Sequence, residues 1–214
     1  SNSSPVASIK GNYIGNYSRS GSGHASFRGI VVDRGPVHVR ENTIRDIAAS
    51  STQSIAFKGI ENISDQTSQS VMLSSNLIED ITLPNITNTS AAFTGITYTN
   101  AVLNNLQAFI DSNAVRDIDY QGRGSFRGYM LTPSPVSTLP NRISRNVLEH
   151  IVVGNSLSGL FRGIYCDQGF TDLDYNRATT DATLKHIADR IPSLSYLGLH
   201  GTSITDAGLE HLTK

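Results

Sequence analysis

Phe27-Arg28-Gly29-Ile30 returns along the chain as Phe57-Lys58-Gly59-Ile60, Phe93-Thr94-Gly95-Ile96, Phe126-Arg127-Gly128-Tyr129 and Phe161-Arg162-Gly163-Ile164. The copies stand 30, 36, 33 and 35 residues apart and take five of the seven phenylalanines in 214 residues. Repetition at such periods means one structural unit stacked on the next, since a single unit cannot bury its own apolar side. A second motif keeps step with the first. Asn12, Asn42, Asn76, Asn113 and Asn146 each open the pattern Asn-x-apolar-x-x-apolar, at spacings of 30, 34, 37 and 33.

The columns on either side of the asparagine are apolar throughout. Three positions before it stand Ile9, Val39, Leu73, Ile110 and Ile143; two after it stand Ile14, Ile44, Ile78, Val115 and Leu148. Five after it come Tyr17, Ile47, Ile81, Ile118 and Ile151. Alternation in short pieces such as Val37-His38-Val39 favours strand over helix. Each unit therefore reads as a strand around F-x-G-I, a turn, a strand ending at the asparagine, and a third short strand. Differences in repeat length fall between these blocks, where protruding loops absorb them.

Charge follows the same register. Three positions after the asparagine the residues are Arg45, Glu79, Arg116 and Glu149, so that stacked neighbours attract. The next position gives Asp46, Asp80, Asp117 and His150, an acidic stripe. The second residue of F-x-G-I gives Arg28, Lys58, Arg127 and Arg162, a basic stripe interrupted by Thr94. The stripes are expected either to pair across a bend or to face solvent separately, with the basic one as a ligand-facing candidate. The glycine column (Gly29, Gly59, Gly95, Gly128, Gly163) points to a backbone shape or a close approach that a Cβ would obstruct. The asparagine column points to a ladder of stacked amides, and the phenylalanine column to a file of core rings. All three columns are read as structural.

These patterns resemble the right-handed parallel β-helix family, the pectin-lyase-like solenoids, over about residues 7–168. After Phe170 the period changes. Thr180-Asp181-Ala182-Thr183-Leu184-Lys185-His186-Ile187 recurs 25 residues later as Thr205-Asp206-Ala207-Gly208-Leu209-Glu210-His211-Leu212. Leu194-x-x-Leu197-x-Leu199-x-Gly201-Thr202-x-Ile204-Thr205-Asp206-x-Gly208-Leu209 is similar to the leucine-rich repeats written L-x-x-L-x-L-x-x-T-x-I-T-D-x-G-L. The first copy departs from it at Arg177, Ala178 and Thr183. The expectation is a mostly β, right-handed parallel β-helix of about five rungs over 1–169, continued or capped by about two leucine-rich units over 170–214. Strands are expected at 173–175 and 197–199, and helices at 182–190 and 207–214 with Asp181 and Asp206, or the preceding Thr180 and Thr205, as N-caps.

Several classes of chemistry find no footing. The single cysteine, Cys166, permits neither an intrachain disulfide nor a cysteine-based zinc site, and it is read as a small apolar side chain of a strand. A net charge of −1, with 16% charged residues, gives no general nucleic-acid footprint. No run is long and apolar enough for a membrane helix. No H-x-x-x-H, H-E-x-x-H or phosphate-loop motif occurs, and neither metal nor cofactor is expected. Of the glycosylation-type sequons at Asn2, Asn16, Asn62, Asn85 and Asn88, the last three are placed in loops.

The functional expectation is a non-enzymatic, extracellular or cell-surface solenoid module for binding, adhesion or assembly. Its partners would be a protein or polysaccharide at the surface, or other copies joined through the solenoid ends. The family resemblance implies a competing reading, a polysaccharide lyase or glycoside hydrolase with Asp46, Asp80 and Asp117 along a groove. Hydrolysis needs two carboxylates about 5 to 10 Å apart. A third reading is a leucine-rich fragment that recognises protein.

Overall fold

The computed structural model describes residues 7–34, 37–51, 55–64, 70–84, 92–100, 107–132, 141–154, 161–166, 170–174 and 210. In chain order the first strands are β1 (Ala7–Lys10), β2 (Tyr13–Gly21), β3 (Ala25–Val32), β4 (Val37–Arg40), β5 (Thr43–Ser51) and β6 (Ile55–Ser64). Then come β7 (Val71–Ser74), β8 (Leu77–Ile78), β9 (Ile81–Leu83), β10 (Ala92–Asn100), β11 (Ala108–Asp111) and β12 (Ala114–Tyr120). The last are β13 (Phe126–Thr132), β14 (Asn141–Ser144), β15 (Val147–Val153), β16 (Phe161–Cys166) and β17 (Phe170–Asp174).

They form three parallel sheets that enclose one core. One runs β1-β4-β7-β11-β14-β17, the second β16-β13-β10-β6-β3, and the third β15-β12-β8-β5-β2 with β9 bonded to β12 and β5. The chain is thus a parallel β-solenoid of about four turns. Five stacked strands of the second sheet are separated by four windings. Each winding carries the three strands read from the sequence, with one of them split into β8 and β9 in the second winding, and the columns coincide with the backbone register: Phe27, Phe57, Phe93, Phe126 and Phe161 are successive partners.

The core is built from files, one side chain directly over the next. The five phenylalanine rings stack with centroids 5.1, 4.9, 4.7 and 5.1 Å apart and planes within 8° of parallel. That separation is the spacing of neighbouring strands, so ring contact and backbone pairing are satisfied at once. Ile44, Ile78, Val115 and Leu148 form a facing file, all buried. The glycine column exists because of this facing file. A Cβ on Gly29, Gly59, Gly95 or Gly128 would lie 2.5 to 2.7 Å from the carbonyl oxygen of the next glycine along the stack, and against Ile44, Ile78, Val115 or Leu148. None of these glycines has a left-handed φ, so close approach is the reason for them.

At the far end β17 lies alongside β14, pairing Leu173 with Ile143 and Asp174 with Ser144. It therefore extends the first sheet past residue 169. The expected strand at 197–199, the helix at 182–190, the helix at 207–214 apart from the single residue Glu210, and the caps Asp181 and Asp206 lie outside the described residues. So do most of the expected protruding loops and the side chain of Cys166, whose backbone closes β16.

Candidate functional site

The asparagines set the geometry from which the charged stripes emerge. Asn42 donates from its backbone N and from Nδ2 to Asn76 Oδ1, at 3.1 and 2.9 Å. Asn76 does the same to Asn113, and Asn113 to Asn146, at the same distances. The second Nδ2 hydrogen goes to the strand before: Asn76 to Val39 O, Asn113 to Leu73 O and Asn146 to Ile110 O, each at 2.8 Å. Buried amides are tolerable because their donors and acceptors are matched in this way.

Two left-handed corners flank each asparagine. One precedes it, at Gly11, Glu41, Ser75, Ser112 and Arg145 (φ 53 to 68°). The other follows four residues on, at Asn16, Asp46, Asp80, Asp117 and His150 (φ 51 to 58°). Asn, Asp and His are the non-glycine residues most tolerant of that conformation. The acidic stripe is therefore accounted for by backbone shape before any chemistry is invoked.

Its carboxylates are also engaged. Arg45 sits between Asp46, at 3.0 Å, and Asp80, at 2.8 Å, and reaches Glu79 at 3.4 Å. Arg116 holds Glu79 at 2.7 Å, with Asp117 at 3.8 Å and Glu149 at 4.0 Å. His150 Nδ1 lies 3.0 Å from Asp117, and Tyr13 donates its phenol hydrogen to Asp46 at 3.0 Å. That bond to Asp46, aided by desolvation, raises the pKa of Tyr13. The alternating column Arg45, Glu79, Arg116, Glu149 is a connected ion-pair ladder at a solvent-facing corner.

The basic stripe lies on the outer face of β3, β6, β10, β13 and β16, where Arg28, Lys58, Thr94, Arg127 and Arg162 are successive partners. The two stripes do not pair with each other as one expectation had it. Glu61, largely buried on β6, binds Lys58 and lies 3.9 Å from Arg28. Arg162 stacks over the Tyr165 ring at 3.9 Å. The Nε atoms of Arg127 and Arg162 are buried with no protein acceptor.

Other residues carry roles that were not read from the sequence. Tyr129 occupies the file of Ile30, Ile60 and Ile96, fully buried, with its hydroxyl 2.9 Å from the carbonyl oxygens of Asn113 and Val147. Burial pushes its pKa up. Asp111 is gripped by Arg145, whose Nε donates at 2.9 Å, and by Ser144 at 2.6 Å and Ser112 at 3.2 Å. Burial works to raise the pKa of Asp111, but these hydrogen bonds outweigh it and hold the carboxyl below its usual range. Asn176 continues the asparagine column at a spacing of 30 from Asn146, a signal that was present in the sequence; its placement lies outside the described residues.

Among the sequons, Asn62 is a correction. It sits inside β6 at 0% exposure instead of in a loop, its Nδ2 3.4 Å from Val37 O, because position 62 alternates onto the core side. Asn16 occupies an exposed corner, and Asn2, Asn85 and Asn88 lie outside the described residues. Among the described residues no three His, Cys, Asp or Glu side chains gather as a metal ion would require. No family model, curated protein or solved structure matches the chain.

Proposed function

We propose that the protein is a non-enzymatic solenoid scaffold of the extracellular space or cell surface, built to bind and to assemble. The observation that carries this reading is the state of the acidic stripe. Asp46, Asp80 and Asp117 are the residues a left-handed corner selects, and their carboxylates already hold guanidinium, phenol or imidazole partners. A hydrolase groove would want two such groups turned toward a sugar; here they turn toward Arg45 and Arg116.

Assembly through the ends is supported by the first winding. Tyr13 (54% exposed), Tyr17 (38%) and Val31 (41%) are three of the four large apolar side chains left exposed among the described residues, and all lie on β2 or β3. These are the outermost strands of their sheets, and open strand edges recruit further strands. Toward the other end, we read five rungs of right-handed winding, as parallel crossovers favour. Two leucine-rich units then take over, consistent with β17 joining the first sheet at Leu173 where the first of them begins.

Sedimentation velocity over a hundredfold range of protein concentration tests the reading. Growth of larger species with concentration, suppressed by Tyr17→Lys with Val31→Lys, is the expected result. A strictly monomeric protein that releases reducing ends from a polysaccharide, with Asp80→Asn abolishing the release, would replace it by the hydrolase.

A further inference from the structure

The basic stripe is unevenly neutralised, and the unevenness marks a position. On the outer face the second residue of F-x-G-I meets the residue three further on, as the ion pair Lys58–Glu61 demonstrates. The same three-residue step from Thr94, Arg127 and Arg162 reaches Thr97, Met130 and Tyr165. Register confirms the second file, since Glu61, Thr97, Met130 and Tyr165 are successive partners. Glu61 therefore serves the two cations at the N-terminal end, and the two at the other end have a thioether and a phenol ring in its place.

Arg127 and Arg162 are adjacent partners in the parallel pair β13–β16, so their guanidinium groups issue from strands about 4.8 Å apart. Like charges side by side across strands destabilise a sheet. Here the penalty is sharpened, because both Nε–H groups are buried without a protein acceptor and both side chains are half-buried. Among the described residues no carboxylate reaches either side chain. Arginine forks match planar and tetrahedral oxyanions, and a desolvated fork binds them most strongly.

We propose that Arg127 and Arg162 form a binding site for one oxyanion, a carboxylate or a sulfate carried by a surface ligand, with the Tyr165 ring alongside. The Tyr165 ring already fixes Arg162 from one side, so that its fork is oriented before the anion arrives. The site gives chemical content to the binding role proposed above and rests on it. A negative result here leaves the concentration-dependent assembly test standing.

The experiment is a titration of the full chain with sodium sulfate, and separately with sodium acetate, at ionic strength held constant with sodium chloride. The Nε–Hε resonances of the arginines are followed by NMR. Saturable displacement of the Arg127 and Arg162 signals with one shared midpoint, and none at Arg28, is expected. The probe that saturates at lower concentration identifies a tetrahedral or a planar group. Arg127→Gln should weaken the response at Arg162 at least tenfold, and Arg127→Lys, which keeps the charge but not the fork, should also weaken it. Non-saturating shifts with both probes, an equal response at Arg28, or an unchanged midpoint in Arg127→Lys would overturn the proposal. The wild-type titration decides the matter even if Arg127→Gln does not fold.

Discussion

Gly95 and Asp80 occupy columns that look equally regular in the sequence, yet opposite physical demands hold them. At Gly95 space is the constraint: a Cβ would lie 2.5 Å from Gly128 O and 2.8 Å from Val115 Cγ2. Gly95→Ala should therefore lower stability by about 3 kcal/mol through overpacking, read as a drop in the urea midpoint. At Asp80 the constraint is φ, which is 52°. Asp80→Gly should cost well under about 1 kcal/mol, whereas Asp80→Val should cost about 2 kcal/mol or more, because a β-branched side chain resists the left-handed region. If the carboxylate itself were what the fold requires, both substitutions would destabilise alike in thermal unfolding.

Between elements, the place where the end of β11 runs beside the end of β14 shows how windings are clamped outside the core. Asp111 accepts from Ser112, Ser144 and Arg145, and its carboxyl titrates below the usual range despite its burial. A carboxyl whose pKa is depressed in the folded state stabilises the fold above its unfolded pKa of about 3.9 and loses that contribution as pH falls through the folded value. Acid unfolding of the wild type should thus steepen below about pH 4, and Asp111→Asn should flatten that limb while lowering stability at pH 7. None of this clamp was legible in the sequence, since Asp111 and Arg145 hold non-equivalent positions in their repeats and no column links them. The F-x-G-I and asparagine columns were legible for the opposite reason. Each records one contact made again at every winding, so spacing alone reveals it. The corner before the asparagine was illegible in a third way. Glu41, Ser75, Ser112 and Arg145 share no residue preference for φ above zero, and the bonded amide beside them imposes the conformation.

For the whole molecule, a stack in which each winding touches only its neighbours has stability that adds along the array. Asn76→Ala would strand Asn42 Nδ2, Val39 O and the backbone N of Asn42 inside the protein, at about 1 to 3 kcal/mol for each unsatisfied group. A loss of about 4 kcal/mol is expected, with unfolding that divides into separate phases on either side of the damaged winding. Asn12→Ala, in the outermost winding, keeps its backbone bond to Asn42 Oδ1 and should cost less than about 1 kcal/mol. Hydrogen exchange resolved by strand distinguishes the two. The amide ladder also has a sense of direction. From Asn12 to Asn113 each asparagine hands its backbone N–H and one Nδ2 hydrogen to the following one, and from Asn42 to Asn146 each offers its oxygen to the one before. Among the described residues no donor reaches Asn12 Oδ1, and two copies meeting by that face would oppose oxygen to oxygen. A two-fold pair through that face therefore gains no hydrogen bond from the ladder, because an isologous contact sets each patch against its own copy.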